Sequence, residues 1–451
     1  MTVRHTMATA LLIAAAALVC AGASADPSGY LKPEGDEKTV EKAARTFRDG
    51  VRALDAGAAG TALDKFRRAA SLCPGFFEAR YNVAKLEGTQ YGRDRGIEGL
   101  TALCKDFPTN VRAYSDLGQL LVETDMEAAG RAFDTAVTNG EKLLEDKAIA
   151  EAGKATVAQL KVDLAFAYHN RGAWHLSTGD YAKAEADLRH STELNDANFF
   201  SHYGLGLALL QQGKYTEAKA AFARSMQLKS PFADCSIGLA RAYLGETPPQ
   251  PAAALVELKA AEKAAGQTAQ LETLYGDVYT LLGKQAADDG HAEDAARHLA
   301  EAQRHYDKAL ELGADRATIA LKLGILADNE GDPDAARKHL HECIEQAKEP
   351  ALKAQAFTLL GVLAEREENY AEAIKSLGEA LASDPKAHAA RLHLGVCLYQ
   401  TGKAKEAEKE LSAVIEALGD APPPALAADL AAARKLLDKI RASGENHTQP
   451  D

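Results

Sequence analysis

Few residues in this chain have the types and spacing that chemistry needs. His339 and Cys343 stand four apart with His341 between them, so two of the three share one face of a helix, where a pair of metal ligands could sit. A closed zinc site takes four ligands, and no third or fourth partner is identifiable. Cys343 also falls at a small packing position, so the expectation is a buried cysteine beside exposed histidines, with no metal. Cys73, Cys104, Cys235, Cys343 and Cys397 are few for the length and lie in apolar helical stretches, which reads as small buried hydrophobes. Cys73 and Cys104 are the one pair with a prospect of bridging; the other three are expected to stay reduced. No nucleophile elbow, phosphate-cradling glycine loop, metalloprotease helix or paired-cysteine zinc spacing occurs. The expectation is a chain that is not an enzyme and holds no cofactor.

The formal net charge of −13 argues against polyanionic partners. Nucleic-acid binding needs a basic footprint to displace counterions, and every Lys and Arg cluster here is interleaved with Asp and Glu. Alanine and leucine dominate, aromatics are 6% of residues, and no β-branched alternating run stands out, so the elements that position any site must be helices.

Those helices repeat. Pro74 and Pro108, Gly172 and Gly206, Gly179 and Gly213, Ala184 and Ala218, Gly361 and Gly395, and Ala373 and Ala407 are each about 34 residues apart. Small residues let one helix approach another closely, and an adjacent Phe or Leu fills the gap, as in Ala62, Phe66 and Ala69 or Ala129, Phe133 and Ala136. Gly179, Gly213, Gly331 and Gly402 suit the positive φ that ends a first helix, and Pro74, Pro108 and Pro385 stop a second one.

These residues, with Leu117-Gly118 and Leu394-Gly395 in first helices, resemble the tetratricopeptide repeat family. The resemblance implies an all-α, right-handed superhelical solenoid of about ten helix-turn-helix repeats closed by a C-terminal capping helix. The expected order is a signal peptide at 1–25, an N-terminal linker at 26–42, repeats one to three at 43–137 and a helical insertion at 138–163. Repeats four to ten follow at 164–418, then the capping helix at 422–443 and a disordered tail at 444–451. Leu426, Leu430, Leu437 and Ile440 supply the cap with its apolar side.

In this family, side chains five and nine residues into each unit point into a groove lined by the first helices. The matching positions here include Phe47, Tyr81, Lys85, Gln119, His169, Tyr203, Leu207, Ile237 and Arg241. That surface is mainly apolar with isolated cations, and it lacks the Lys, Asn and Arg clamp by which some family members hold a C-terminal carboxylate. It suits apolar segments of partner proteins. A glycan-binding module would want a Trp- and Tyr-lined trough, and Trp174 is the only tryptophan.

The first twenty-five residues have a secretory pattern: Arg4 and His5, an apolar run from Ala8 to Cys20, then Ala23-Ser24-Ala25 before Asp26. Export is expected, with Asp26 as the mature N-terminus. Acylation at Cys20 is the lesser alternative, because Val19 and Ala17 stand where a lipoprotein signal carries a small residue and a leucine. No later stretch has the ~20 uninterrupted apolar residues of a membrane span. Repeat proteins with such a leader serve pilus assembly, gliding motility, secretion and outer-membrane biogenesis, so the architecture implies a scaffold at the periplasm or the periplasmic face of the outer membrane.

Overall fold

A computed structural model describes residues 29–30, 36–229, 232–419 and 426–445; the expected signal, Cys20 and Pro422 to Pro424 lie outside them. Among the described residues there are 22 helices and no strand. Twenty fall into ten consecutive pairs. The first three are α1 (Glu37–Asp55) with α2 (Ala59–Leu72), α3 (Phe77–Tyr91) with α4 (Arg93–Asp106), and α5 (Val111–Leu121) with α6 (Met126–Leu144). After the short α7 (Lys147–Glu151) come α8 (Lys154–Thr178) with α9 (Tyr181–Leu194), α10 (Phe199–Gln211) with α11 (Tyr215–Leu228), and α12 (Ala233–Gly245) with α13 (Pro251–Ala265). The rest are α14 (Ala269–Asp288) with α15 (Ala292–Glu311), α16 (Arg316–Glu330) with α17 (Pro333–Gln346), α18 (Pro350–Arg366) with α19 (Tyr370–Ser383), and α20 (His388–Gln400) with α21 (Ala404–Leu418). The single α22 (Ala427–Glu445) closes the chain.

Local chemistry sets the helix ends. Asp36, Asn110, Asp125 and Asp315 each accept a hydrogen bond from a backbone N–H of the first turn they cap. Gly179 and Gly331 end α8 and α16 in the left-handed region at φ 81° and 76°, where a β-carbon would be strained. Close helix approach also needs small residues: a β-carbon on Gly118 would lie 2.5 Å from the Phe133 ring, which fills the space between α5 and α6. At the far end Leu430, Ala433, Leu437 and Ile440 of α22 close the core of α20 and α21 over Leu394, Leu398, Leu411 and Val414.

The boundaries differ from those read in the sequence where capping and length decide. The Asp36 cap starts α1 at Glu37, inside the stretch expected to be a linker, and α22 runs to Glu445, into the expected tail. Residues 138–163, expected as a helical insertion, are helical over most of their length. They are the end of α6, the short α7 and the first turns of α8, packed through Leu143, Ile149 and Leu160.

The described chain divides into two compact units. Unit 1 comprises residues 29–212 with 223–229, and unit 2 comprises residues 213–222 with those from Phe232 onward.

Candidate functional site

In unit 1 the first helices α3, α5 and α8 converge on one guanidinium. Arg112 of α5 donates from Nη1 to both carboxylate oxygens of Glu78 at 3.1 and 3.0 Å. From Nε and Nη2 it donates to Asp163 of α8 at 3.2 and 3.0 Å. The three side chains are 15%, 19% and 6% exposed, so these are sheltered charges that hold one another. Burial pushes the Glu78 carboxyl up despite Arg112 beside it. Asp163 also accepts from Gln159 at 3.0 Å and from the hydroxyl of Tyr30 at 2.8 Å.

The same face continues along α3 and α5. The Tyr81 hydroxyl and the Lys85 ammonium both donate to Asp116, at 2.5 and 2.7 Å. The Tyr81 ring stacks on Phe77, with the Arg112 guanidinium 5.3 Å from its centroid. Gln119 donates to Asn170 at 2.7 Å, and Asn170 donates to Ser115 at 2.8 Å. His169 of α8 meets Ser201 of α10 at 3.2 Å, and burial pushes its imidazole down to about 4. Ser201 is wholly buried, so this serine–histidine contact is packing and not an exposed nucleophile.

Unit 2 presents a different first-helix surface. Helices α12, α14 and α16 line a groove of about 610 Å³. Half-buried Leu244 gives it apolar surface, Leu274 and Ile319, both buried, form its floor, and Lys322 is paired with Asp277 at 3.0 Å on its border. Arg241 is exposed at the rim and has no ion pair among the described residues. Elsewhere in this unit Glu272, buried in α14, bonds His305 at 2.6 Å, and the His305 ring lies parallel to Tyr279 at 5.3 Å.

The nine expected groove residues therefore do not make one site. Phe47 is a correction: it is 6% exposed, wedged between the rings of Phe66 and Phe76 at 5.2 Å each, because the first pair fills its core with aromatics. Ile237 is a second, buried with Ala240, Leu258 and Leu271. Tyr81, Lys85 and Gln119 sit on the inner face but are engaged by its own polar groups, whereas Tyr203 and Leu207 of α10 are half-buried. Only Arg241 lines the open groove. The bridge expected as possible between Cys73 and Cys104 is also corrected: all five described cysteines are buried, none is joined in a disulfide, and these two belong to different core clusters. Burial pushes the Cys104 and Cys397 thiols up to about 12. Cys343 is wholly buried, and no three metal-ligating side chains cluster among the described residues.

Glu78, Arg112 and Asp163 had no visible signal as a site. Asp163 lay in the presumed insertion, and Arg112 stands alone between Val111 and Ala113. Their convergence depends on how α8 extends beside α5.

Comparison with known proteins agrees with the repeat pattern. Residues 175–233 and 364–430 each match a family described as Tetratricopeptide repeat. These two stretches carry tetratricopeptide repeats. No curated protein matches its sequence. Among solved structures, a tetratricopeptide repeat protein from Parabacteroides merdae has 16% identity and a TM-score of 0.39, covering 63% of this chain and 99% of its own. Yeast Tom70 has 13% identity and a TM-score of 0.47, covering 91% and 98%. The Pseudomonas aeruginosa protein pilF has 15% identity and a TM-score of 0.42, covering 52% and 97%. Among the described residues, no helix of these repeats is long and apolar enough to cross a membrane.

Proposed function

We propose that this repeat protein is an exported, non-enzymatic adaptor of a bacterial cell envelope that holds segments of partner proteins along its first helices. The open groove of unit 2 is the observation that carries the reading. Three first helices leave apolar surface open at half-buried Leu244, over a floor of buried Leu274 and Ile319, beside a guanidinium with no ion pair among the described residues, a combination that anchors an apolar segment and orients an acidic group on it. The tetratricopeptide pattern supports protein partners, and the leader pattern supports export. A glycan-capturing role finds no trough at Trp174, whose indole N–H donates to the Met126 carbonyl at 3.1 Å while its ring covers Gly130.

A photo-crosslinking residue placed in living cells tests the site. Gln270, on the groove, is expected to yield a protein adduct, and Arg297, exposed on the second helix α15, is not. Adducts from Arg297 alone would move the interface to the second helices. Intact mass of the exported protein tests the destination: the expected N-terminus is Asp26, and a product retaining Met1 overturns export by this leader.

A further inference from the structure

The inner face of unit 1 is already occupied by the chain itself. Tyr30 reaches Asp163, 133 positions later in the sequence, with a 2.8 Å hydrogen bond from its hydroxyl. The residue before it is fitted as closely. Gly29 has φ 73°, and a β-carbon there would lie 2.8 Å from Cγ of Phe77 in α3. Any other residue would meet both a strained backbone and the Phe77 ring, which belongs to the buried core and cannot give way cheaply. A glycine followed by a phenol thus meets a tight aromatic floor and a carboxylate acceptor. The carboxylate is held by Arg112, which Glu78 holds in turn.

We infer that this face is a peptide-binding site for a glycine–tyrosine segment, filled in cis by Gly29 and Tyr30, so that an outside segment of the same chemistry gains access only by displacing them. The inference rests on the reading that first helices receive protein segments, and it adds which segment unit 1 receives. A tethered ligand competes at a high effective concentration, so the bound state is the resting state and the site responds only to a partner able to outcompete it. Arg112, Glu78 and Asp163 pre-arrange the acceptor and need no rearrangement when one phenol replaces another.

The test uses the full chain labelled with 3-fluorotyrosine, with the Tyr30 signal identified among the 14 tyrosines by its loss in Tyr30→Phe. In the wild-type chain that signal is expected to resist broadening by a soluble paramagnetic chelate, and in Gly29→Ala or Asp163→Ala to be broadened. A dye-labelled peptide of residues 26–35 is then titrated into the wild-type chain, Tyr30→Ala and Gly29→Ala. Both variants are expected to bind it about tenfold or more tightly than the wild type does, because their own segment no longer competes. A wild-type Tyr30 signal open to the chelate overturns the inference. So does equal binding of the peptide by all three chains, or no binding by any at millimolar peptide. These results leave crosslinking at Gln270 untouched, so this inference can fail while the adaptor reading stands, and the reverse.

Discussion

The two units expose first-helix surfaces of opposite character. In unit 1 that surface is satisfied from within: Arg112 has two carboxylates, Asp116 has two donors, Asp163 has a phenol, and Asn170 links Gln119 to Ser115. In unit 2 the groove between α12, α14 and α16 is open, and its rim cation Arg241 has no ion pair among the described residues. Both are built from the same kind of helix pair, so the repeat does not decide whether a face is free. A few polar side chains at inner positions decide it, together with the contacts that Gly29 and Tyr30 make with Phe77 and Asp163. A satisfied face is rigid and selective; an open one offers desolvation energy to a partner.

The largest expected effect breaks that contrast at its charges. Arg112→Ala leaves Glu78 and Asp163 sheltered and unpaired, which costs about 3 to 5 kcal/mol when a buried pair loses one member. Lys322→Ala in unit 2 removes a partner from Asp277 where the two side chains are 31% and 20% exposed, and is expected to cost about 1 kcal/mol or less. Native-state hydrogen exchange resolves the two. Protection in α3, α5 and α8 falls steeply in the first variant, and that in α14 and α16 barely changes in the second. Equal losses would mean that the unit 1 network is an ordinary surface cluster.

A smaller effect comes from pH. His169 in unit 1 is held near 4 in the folded chain against 6.5 when exposed. Between those values the unfolded chain binds a proton that the folded chain refuses, so stability is lost as pH falls from about 6.5 to about 4. At ~1.4 kcal/mol per unit the loss approaches 3 kcal/mol as an upper bound. Chemical denaturation at both pH values, with His169→Asn as the reference, isolates the contribution; an identical pH dependence in the variant would remove it.

Tyr203→Ala sharpens the comparison at lower cost. Tyr203 is half-buried on α10 of unit 1 and is the aromatic group expected to meet a partner there. Truncating such an anchor is expected to weaken partner capture about tenfold, or ~1.4 kcal/mol, with helicity unchanged. Wild-type affinity in a folded Tyr203→Ala chain would confine binding to unit 2.

The helix pairs were legible in the sequence because backbone geometry leaves a residue type behind. Gly179 and Gly331 mark left-handed helix ends, Gly118 marks a close approach to Phe133, and Leu430 to Ile440 mark a one-sided cap. The site was less legible. Counting positions along a repeat placed Arg241 on a groove, yet the same count placed Phe47 and Ile237 there, although local aromatic and aliphatic packing buries both. The Tyr30 contact was beyond any count, since it joins a segment outside the repeats to a carboxylate at the start of an extended helix. Periodicity reports which face a side chain takes, not whether that face is already filled.

Arg241→Ala is the mildest change and isolates what an open groove contributes through charge alone. Arg241 is exposed and has no ion pair among the described residues to lose, so helix stability should not change measurably, unlike the Arg112 variant. A cation at a rim steers and orients an acidic group more than it anchors one, and exposed pairs are worth ~0 to 1 kcal/mol. Capture of the crosslinked partner is therefore expected to weaken only a few fold, about 2 to 5 times, and chiefly through slower association. The difference between wild type and variant should shrink as salt rises, because the Debye length falls from ~10 Å at 0.1 M to ~3 Å at 1 M. Surface-plasmon measurements at both salt concentrations separate this from an anchoring role. A loss that persists undiminished at high salt would mean that the Arg241 guanidinium packs against the partner, and that unit 2 seats its segment as tightly as unit 1 seats Tyr30.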